Sequence, residues 1–278
     1  MLKYVRIFLV LFFCLALAAA VGLYAYIYTH EDTKPPAFRS SLDLVEVSMT
    51  DPPEALMQGL SAYDNVDGDL NDKIHVKSIS TLINDTDVNV EYIVFDNASN
   101  YAVFSRTVRY RDYTSPRFHM LKPMIFNVGE TVSYAGAVAV MDQRDGNISG
   151  RLKLEESTVI SSTPGSYTAK LSATNRMGDT IYLPLTVQIL DNSASRPKIA
   201  LKEYLIYLER GQTLRYRRFL QEVKDPLYPD KSAAVPLSLV SVNDSNVDPN
   251  TPGVYEVYYY YTGISGEIAT VILTVIVE

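Results

Sequence analysis

The sequence predicts an all-β fold made of three tandem β-sandwiches that follow one transmembrane helix. An uncharged apolar run, residues 7–28, lies near the amino terminus and is long enough to be such a helix. The rest of the chain shows apolar residues at every second position in short runs separated by turn residues, which is typical of half-buried strands. One such pattern recurs with a period near 80 residues, which indicates repeated modules.

The amino terminus consists of a basic tip (1–6), the apolar run (7–28) and a juxtamembrane linker (29–35). A 22-residue helix would be about 33 Å long, close to the roughly 30 Å hydrocarbon core of a bilayer. Lys3 and Arg6 precede the run, so we expect a single-pass anchor in the cell membrane. Its amino terminus would be cytoplasmic and its carboxy-terminal region extracellular.

A cleaved signal peptide is the alternative interpretation of this segment. Ala18-Ala19-Ala20 offers a small-residue cleavage site. The apolar run continues past these alanines, which favours an uncleaved anchor. Both interpretations place residues 31–278 outside the cytoplasm.

The repeat is clearest between TPGSYTAKLSATNRMGD (163–179) and TPGVYEVYYYYTGISGE (251–267), which align at an offset of 88. In both copies a Pro-Gly turn enters a strand, and a second glycine marks a hairpin turn into the next strand. The first copy, 91–110, is more diverged, and short linkers with Asp and Pro separate the copies. The predicted domains are 36–113, 114–193 and 194–278.

Three short motifs resemble those of bacterial surface Ig-like domains of the hyalin-repeat-like kind. They are AYDNVDGDL (62–70), DNASN (96–100) and DYTSP (112–116). The resemblance implies an Ig-like sandwich that serves as a spacer or adhesive module on secreted and wall-associated proteins. Two departures stand out: Ser99 replaces the usual glycine, and the third copy lacks the Asp-Gly-Asp turn.

Charge and cysteine content exclude several classes of function. The chain has 25 lysines and arginines against 32 aspartates and glutamates, so its net charge is 25 − 32 = −7. Because no basic stripe interrupts this acidic chain, we expect no nucleic-acid partner. The single cysteine, Cys14, lies in the apolar run, so the exported part can form no disulfide. Its stability must therefore come from packed cores.

The stretch YDNVDGDLND (63–72) has the residues of a metal site. Calcium prefers hard oxygen ligands, and this stretch offers Asp64, Asp67, Asp69 and Asp72. With Gly68 at position 6 the EF-hand frame fails, because position 1 becomes a tyrosine and position 12 an isoleucine.

The alternative is a structural turn, which the internal repeat favours. In this interpretation the first aspartate caps the turn and Asp-Gly makes the reversal. At an offset of 78 the second copy keeps the first two aspartates but has Asn147 and Gly150 at the other two positions, and the third copy keeps only Asp225. No cofactor other than this possible Ca²⁺ is expected.

The sequence contains no catalytic motif that we can identify. The three histidines, His30, His75 and His119, are scattered, and none has a second metal ligand at a suitable spacing. There is no G-x-S-x-G motif and no glycine-rich phosphate loop. We therefore expect a protein that is not an enzyme.

Two features of the third copy are candidates for partner binding. In the strand containing Tyr258 and Tyr260, the repeat places the neighbouring Tyr259 and Tyr261 in the core, so the first two would face outward. Exposed tyrosines suit protein or sugar contacts, whereas cross-strand pairing within the sheet is the structural alternative. The second feature is a basic segment with three arginines: Arg215, Arg217 and Arg218. It is either a solvated loop or a contact patch for an acidic wall polymer or for the carboxylates of a partner.

The expected function is a non-catalytic, membrane-anchored cell-surface spacer, adhesion or protein-interaction module. The partner would be a surface or envelope protein, in addition to the membrane itself. One alternative is a protein that binds cell-wall polysaccharide. Another is an accessory subunit of an envelope, secretion or surface-fibre assembly.

Overall fold

The structure is a computed structural model that describes residues 2–229 and 235–278, with side chains for all of these except 27–30. It divides into two compact units, Met1–Asp112 and Tyr113–Glu278. The first unit contains a helix and one β-sandwich, and the second contains two β-sandwiches. The described residues form twenty strands, and their one α-helix is at the amino terminus, which confirms the predicted all-β fold class.

The α-helix, α1 (Leu2–His30), begins before the apolar run and ends just after it. Its part Leu2–Tyr26 is long and apolar enough to cross a membrane, and the most apolar 18-residue stretch within it has a mean hydropathy of 2.7. None of its most apolar window is buried inside the protein. The predicted amino-terminal helix is therefore present.

The first sandwich packs a small sheet, in the order β1-β3-β4, against a four-stranded sheet, β2-β7-β6-β5. Apolar side chains on alternate positions of β6 are fully buried, among them Val88, Val90 and Val94. Its strands are β1 (Ala37–Ser40), β2 (Leu44–Val47), β3 (Leu60–Asp64), β4 (Gly68–Asp69), β5 (His75–Leu82), β6 (Asp87–Phe95) and β7 (Tyr101–Tyr110).

The second sandwich repeats this arrangement with the sheets β11-β10-β8 and β12-β13-β14-β9. In both sandwiches a short early strand pairs in parallel with the last long strand: β2 with β7, and β9 with β14. Its strands are β8 (Arg117–Met120), β9 (Ile125–Asn127), β10 (Val138–Asp142), β11 (Gly146–Asn147), β12 (Lys153–Ser157), β13 (Gly165–Thr174) and β14 (Thr180–Leu190).

The third sandwich has the sheets β15-β17 and β16-β20-β19-β18, with β16 again parallel to the last strand. Every sheet in the described residues takes all its strands from one of the three predicted domain ranges. Its strands are β15 (Lys198–Leu201), β16 (Leu205–Leu208), β17 (Leu220–Lys224), β18 (Ser241–Asn243), β19 (Gly253–Thr262) and β20 (Ile268–Val277).

The predicted alignment of the second and third copies is confirmed by burial. Leu171 and Ala173 on β13 are buried, and so are their counterparts on β19, Tyr259 and Tyr261. The hydroxyl of Tyr259 donates to the backbone oxygen of Tyr216 at 2.7 Å, so this polar atom is satisfied in the core.

The second and third sandwiches share an apolar contact within their unit. Leu205 of the third sandwich belongs to the buried cluster that forms the core of the second. The backbone N–H of Phe118 donates to the hydroxyl of Tyr207 at 2.7 Å, and burial raises the pKa of that hydroxyl to about 12. The carboxylate of Glu256 accepts from the N–H and hydroxyl of Thr186, each at 3.1 Å. These contacts explain why the two sandwiches form one compact unit.

Candidate functional site

The aspartate-rich stretch of the first sandwich is a capped turn between β3 and β4. Oδ1 of Asp64 accepts from the backbone N–H groups of Val66 and Asp67, at 2.8 and 3.1 Å. Gly68 has a φ of +77°, a conformation that favours glycine, and Leu70 then returns a buried side chain to the core. The turn interpretation is confirmed.

The four aspartates predicted as ligands do not come together in the structure. Asp67 accepts from the backbone N–H of Asn97 at 2.7 Å and so holds the turn after β6. Asp69 accepts from the backbone N–H of Asn71 at 2.8 Å, and Asp72 is exposed. Only Asp64 of the four belongs to the one group of potential metal ligands found among the described residues. The structure therefore brings only one of the four into a group of potential ligands, and calcium binding by the predicted set stays a prediction.

The group that does form consists of Asp32, Asp64 and Asp96. Carboxylate oxygens of the three residues all lie within 4.8 Å of one another. Asp64 and Asp96 are buried, and Asp32 is half-buried. We call these three residues the carboxylate cluster.

The three members of the carboxylate cluster come from separate parts of the first unit. Asp32 lies two residues after the end of α1, Asp64 is the last residue of β3, and Asp96 follows the end of β6. Asn100 connects two of them: its side-chain amide donates to Oδ2 of Asp96 at 2.8 Å and to the backbone oxygen of Asp32 at 3.0 Å. The cluster therefore joins the juxtamembrane linker to one end of the first sandwich.

Two oxygens of the carboxylate cluster have no donor. Oδ2 of Asp64 and Oδ2 of Asp32 are buried, and neither accepts a hydrogen bond from any part of the chain that the structure describes. The backbone N–H groups of Val66 and Asp67 hold the pKa of Asp64 below its ordinary value, so this carboxyl is ionised at neutral pH.

The second sandwich has the same turns, but different polar side chains lie next to its capping aspartate. Asp142 caps its turn as Asp64 does, accepting from two backbone N–H groups at 2.9 and 2.6 Å. Asn175 takes the position of Asp96, and its amide donates to Asp142 at 2.9 Å and to the hydroxyl of Tyr113 at 2.8 Å. Every member of this group therefore has a hydrogen-bonding partner.

The third sandwich has no side chain at the equivalent position. Asp225 is retained, and its Oδ2 accepts from the backbone N–H of Ile264 at 2.9 Å. Gly263 stands where Asp96 and Asn175 stand, and a Cβ there would lie 2.9 Å from Cγ of Pro197. There is no space for a carboxylate at this position in the third copy.

The candidate tyrosines of β19 are placed as predicted, on the face opposite the core. Tyr258 and Tyr260 are half-buried, and their rings stack with centroids 6.1 Å apart and an interplanar angle of 6°. The hydroxyl of Tyr258 donates to Glu256 at 2.6 Å, next to the contact of Glu256 with Thr186. Tyr258 thus has a structural role where the second and third sandwiches meet, and a role in partner binding stays a prediction.

The three candidate arginines differ in their surroundings. Arg217 donates to the backbone oxygens of Leu237 and Val240, at 2.9 and 2.7 Å, so it holds a neighbouring loop. Arg215 and Arg218 are exposed. These two remain the candidates for contacts outside the chain.

Sequence reasoning missed Asp32 and Asp96 as members of a cluster. Each lies 32 residues from Asp64, so no local spacing rule connects them. The signal that was available is the repeat itself. An offset of 79 puts Asn175 on Asp96, so only the first of these two copies carries a charge at this position.

Comparison with known proteins gives similarities to solved structures alone. No protein-family model and no curated protein matches the chain. A Clostridium perfringens ZmpB structure, with CBM51-2 in complex with GlcNAc and INT domains, is 16% identical over 53% of this chain and 26% of that chain, with a TM-score of 0.23. The present chain thus spans about a quarter of the length of that clostridial chain.

Two other structures have comparable similarity. A lipoprotein from Bacteroides thetaiotaomicron is 13% identical over 57% of this chain and 98% of its own, with a TM-score of 0.24. Drosophila N-cadherin EC1-4 is 13% identical over 89% of this chain and 76% of its own, with a TM-score of 0.23. At these values the similarities carry no argument about function, and the β-sandwich assignment rests on the strands themselves.

Proposed function

We propose that the chain is a non-catalytic, membrane-anchored surface protein whose β-sandwiches act as a spacer and interaction module. The observation that carries the proposal is helix α1. Its stretch Leu2–Tyr26 is strongly apolar, and its most apolar window is not covered by the rest of the protein. Lipid is the environment that such a surface requires.

The charges around α1 support one orientation. Lys3 and Arg6 lie in its first turns, and Glu31 and Asp32 follow its end. Basic residues are retained on the cytoplasmic side of a membrane, so the sandwiches would lie outside. A cleaved signal peptide would give the same location without the anchor.

Single-cysteine labelling of spheroplasts from a bacterial expression host tests this topology. In a Cys14→Ala background, a membrane-impermeant maleimide should label Ser162→Cys, an exposed loop position, in intact spheroplasts. It should label Leu2→Cys only after the membrane is permeabilised. Equal labelling of both positions before permeabilisation would overturn the orientation, and recovery of the protein without its first 20 residues would overturn the anchor.

The interaction surface that we propose is the exposed part of the basic segment in the third sandwich. Arg215 and Arg218 offer guanidinium groups for carboxylates of a surface or envelope protein. Amine-reactive crosslinking on intact cells, followed by mass spectrometry, should yield a partner that the Arg215→Ala/Arg218→Ala double variant loses. Arg176→Ala, an exposed arginine of the second sandwich, is the matched control. Equal recovery with the double variant and the control would show that the partner binds elsewhere.

A further inference from the structure

We propose that Asp32, Asp64 and Asp96 bind one Ca²⁺ ion, which ties the juxtamembrane linker to the first β-sandwich. The spacing of the carboxylate oxygens fits a single calcium ion. Calcium binds oxygens at 2.3–2.6 Å, so two ligands on opposite sides of one ion are about 4.8 Å apart. The three carboxylates offer oxygens that all lie within 4.8 Å of one another. One ion can therefore contact all three.

Asp64 carries a buried oxygen that has no hydrogen-bond donor within the described residues. This residue is 1% exposed, and one of its oxygens caps the turn. The other, Oδ2, is buried and accepts no hydrogen bond within the described residues, and the same holds for Oδ2 of Asp32. A buried carboxylate oxygen is strongly disfavoured unless a donor or a cation compensates for its lost hydration. A cation held by the cluster compensates both oxygens at once.

The negative charge of the carboxylate cluster also favours a bound cation. Among the described residues, no lysine or arginine side chain forms an ion pair with any of the three aspartates. Three carboxylates this close repel one another, and burial strengthens the repulsion because water screens the charges less. A divalent ion neutralises most of that charge.

The ligand types favour calcium over other metals. All three ligands are carboxylates, and no cysteine or histidine belongs to the group. Zinc prefers nitrogen and sulfur ligands, and magnesium binds through one or two carboxylates with several retained waters. Carboxylate oxygens are the hard ligands of which calcium binds six to eight, so three of them form part of a calcium shell that further oxygens would complete.

The second sandwich shows how the same turns are stabilised without an ion. There the amide of Asn175 donates to Asp142 at 2.9 Å, where Asp96 of the first sandwich can only accept. The hydroxyl of Tyr113 donates to Asp179 at 2.8 Å. Hydrogen-bond donors thus compensate the buried carboxylate in the second copy, as a cation would in the first. We infer one calcium site per chain.

The position of the cluster determines which part of the chain calcium would order. Asp32 lies outside every strand, two residues after α1, and the amide of Asn100 donates to its backbone oxygen at 3.0 Å. Calcium would add bonds from this residue to the ends of β3 and β6. Calcium outside the cell would then order the segment between helix and sandwich. The site survives whether or not the chain is cleaved near Ala20, because all three ligands lie beyond that residue.

The test uses the full chain in detergent micelles, stripped of metal with EDTA and then titrated with CaCl₂. Calorimetry should show one ion per chain, with a Kd of about 10⁻⁴–10⁻³ M, the range of extracellular calcium modules. The melting temperature should rise with calcium, and MgCl₂ at the same concentration should raise it less. Amide hydrogen exchange of residues 31–36 should slow when calcium is added.

Three variants make the test specific. Asp96→Asn copies the second sandwich, and Asp32→Asn changes a residue outside the sheets, so neither removes a core side chain. Each should weaken calcium binding at least tenfold. Asp72→Asn is the matched control, because Asp72 is exposed and lies outside the cluster, and it should bind like the unchanged chain.

The results that would overturn the proposal are equally specific. One is no binding and no thermal shift at about 10 mM calcium, ten times the upper end of the expected range. Another is unchanged binding in both cluster variants. A third is loss of binding in Asp72→Asn, which would point to the contiguous aspartates 64–72 instead. None of these results bears on membrane anchoring, which depends on α1.

Discussion

The first and second sandwiches build the same pair of turns around opposite polar chemistry. Asp64 and Asp142 each cap a turn through two backbone N–H groups. Beside them stand Asp96 in the first sandwich and Asn175 in the second, each accepting from the backbone N–H four residues on, at 2.7 and 3.0 Å. The backbone contacts thus set the turns, and the residue at this one position determines whether the capping aspartate has a second carboxylate or an amide donor beside it.

The largest effect is expected from giving the second sandwich the charge of the first. Asn175→Asp removes the amide that donates to Asp142 and Tyr113, and it places a second carboxylate in a buried group. Without a cation we expect a loss of about 3–5 kcal/mol of stability, the usual effect of leaving a buried charge unpaired. Chemical denaturation in the presence of EDTA, monitored by hydrogen exchange in residues 165–190, measures this loss of stability.

The matched control for this variant is the same substitution at an exposed turn position of the same sandwich. Asn147 accepts from the backbone N–H of Ser149 at 3.0 Å, and an aspartate accepts equally well. Asn147→Asp should therefore change stability by no more than about 0.5 kcal/mol. If the two variants lose equal stability, the amide donor of Asn175 is not what stabilises the second sandwich.

A smaller effect is expected at Tyr113, whose hydroxyl completes the hydrogen-bonded group around Asn175 in the second sandwich. It accepts from Asn175 and donates to Asp179, both at 2.8 Å. Tyr113→Phe removes both bonds and should cost about 1–2 kcal/mol at pH 8. Exposed Tyr182, changed to Phe, should have a smaller effect.

The stability that the Tyr113 hydroxyl contributes should depend on pH. Burial, and then the carboxylate of Asp179, raise the pKa of Tyr113 above its ordinary value near 10. Above pH 10 the unfolded chain releases this proton while the folded chain retains it, so stability falls as pH rises. The stability advantage of the unchanged chain over Tyr113→Phe should therefore shrink between pH 8 and pH 10.5 in urea unfolding. A constant difference would show that the hydroxyl is not buried next to Asp179.

The parts of the fold that could be predicted from the sequence are those with a local or periodic cause. Alternation places Tyr259 in the core, and an aspartate followed by Asp-Gly forms a capped turn because its N–H partners are two and three residues away. The carboxylate cluster has no such cause. Asp32 reaches Asp64 only because the linker packs against the ends of two strands, and neighbouring Asp72 remains exposed.

The smallest effect is expected at the hairpin turn that follows the cluster position. Ser99 has a φ of +72° and is the one non-glycine residue in the described chain with a positive φ, whereas Gly178 has +80° at the same place in the second sandwich. Side chains are disfavoured in this conformation by about 1–2 kcal/mol, and part of any gain is lost to the greater freedom of glycine in the unfolded chain. Ser99→Gly should therefore stabilise the first sandwich by about 0.5–1 kcal/mol. Hydrogen exchange in residues 87–110 isolates this sandwich from the other two.

The reciprocal substitution, Gly178→Ser, provides the control for the turn comparison. It should destabilise the second sandwich by a similar amount, because both turns are exposed and close with the same backbone hydrogen bond, at 3.3 Å for Ser99 and 3.2 Å for Gly178. Ser99→Gly should also leave calcium binding unchanged, since residue 99 contributes no carboxylate to the cluster. A large change in calcium affinity would mean that the strained turn helps to position Asp96. The turn and the cluster would then have to be treated as one site.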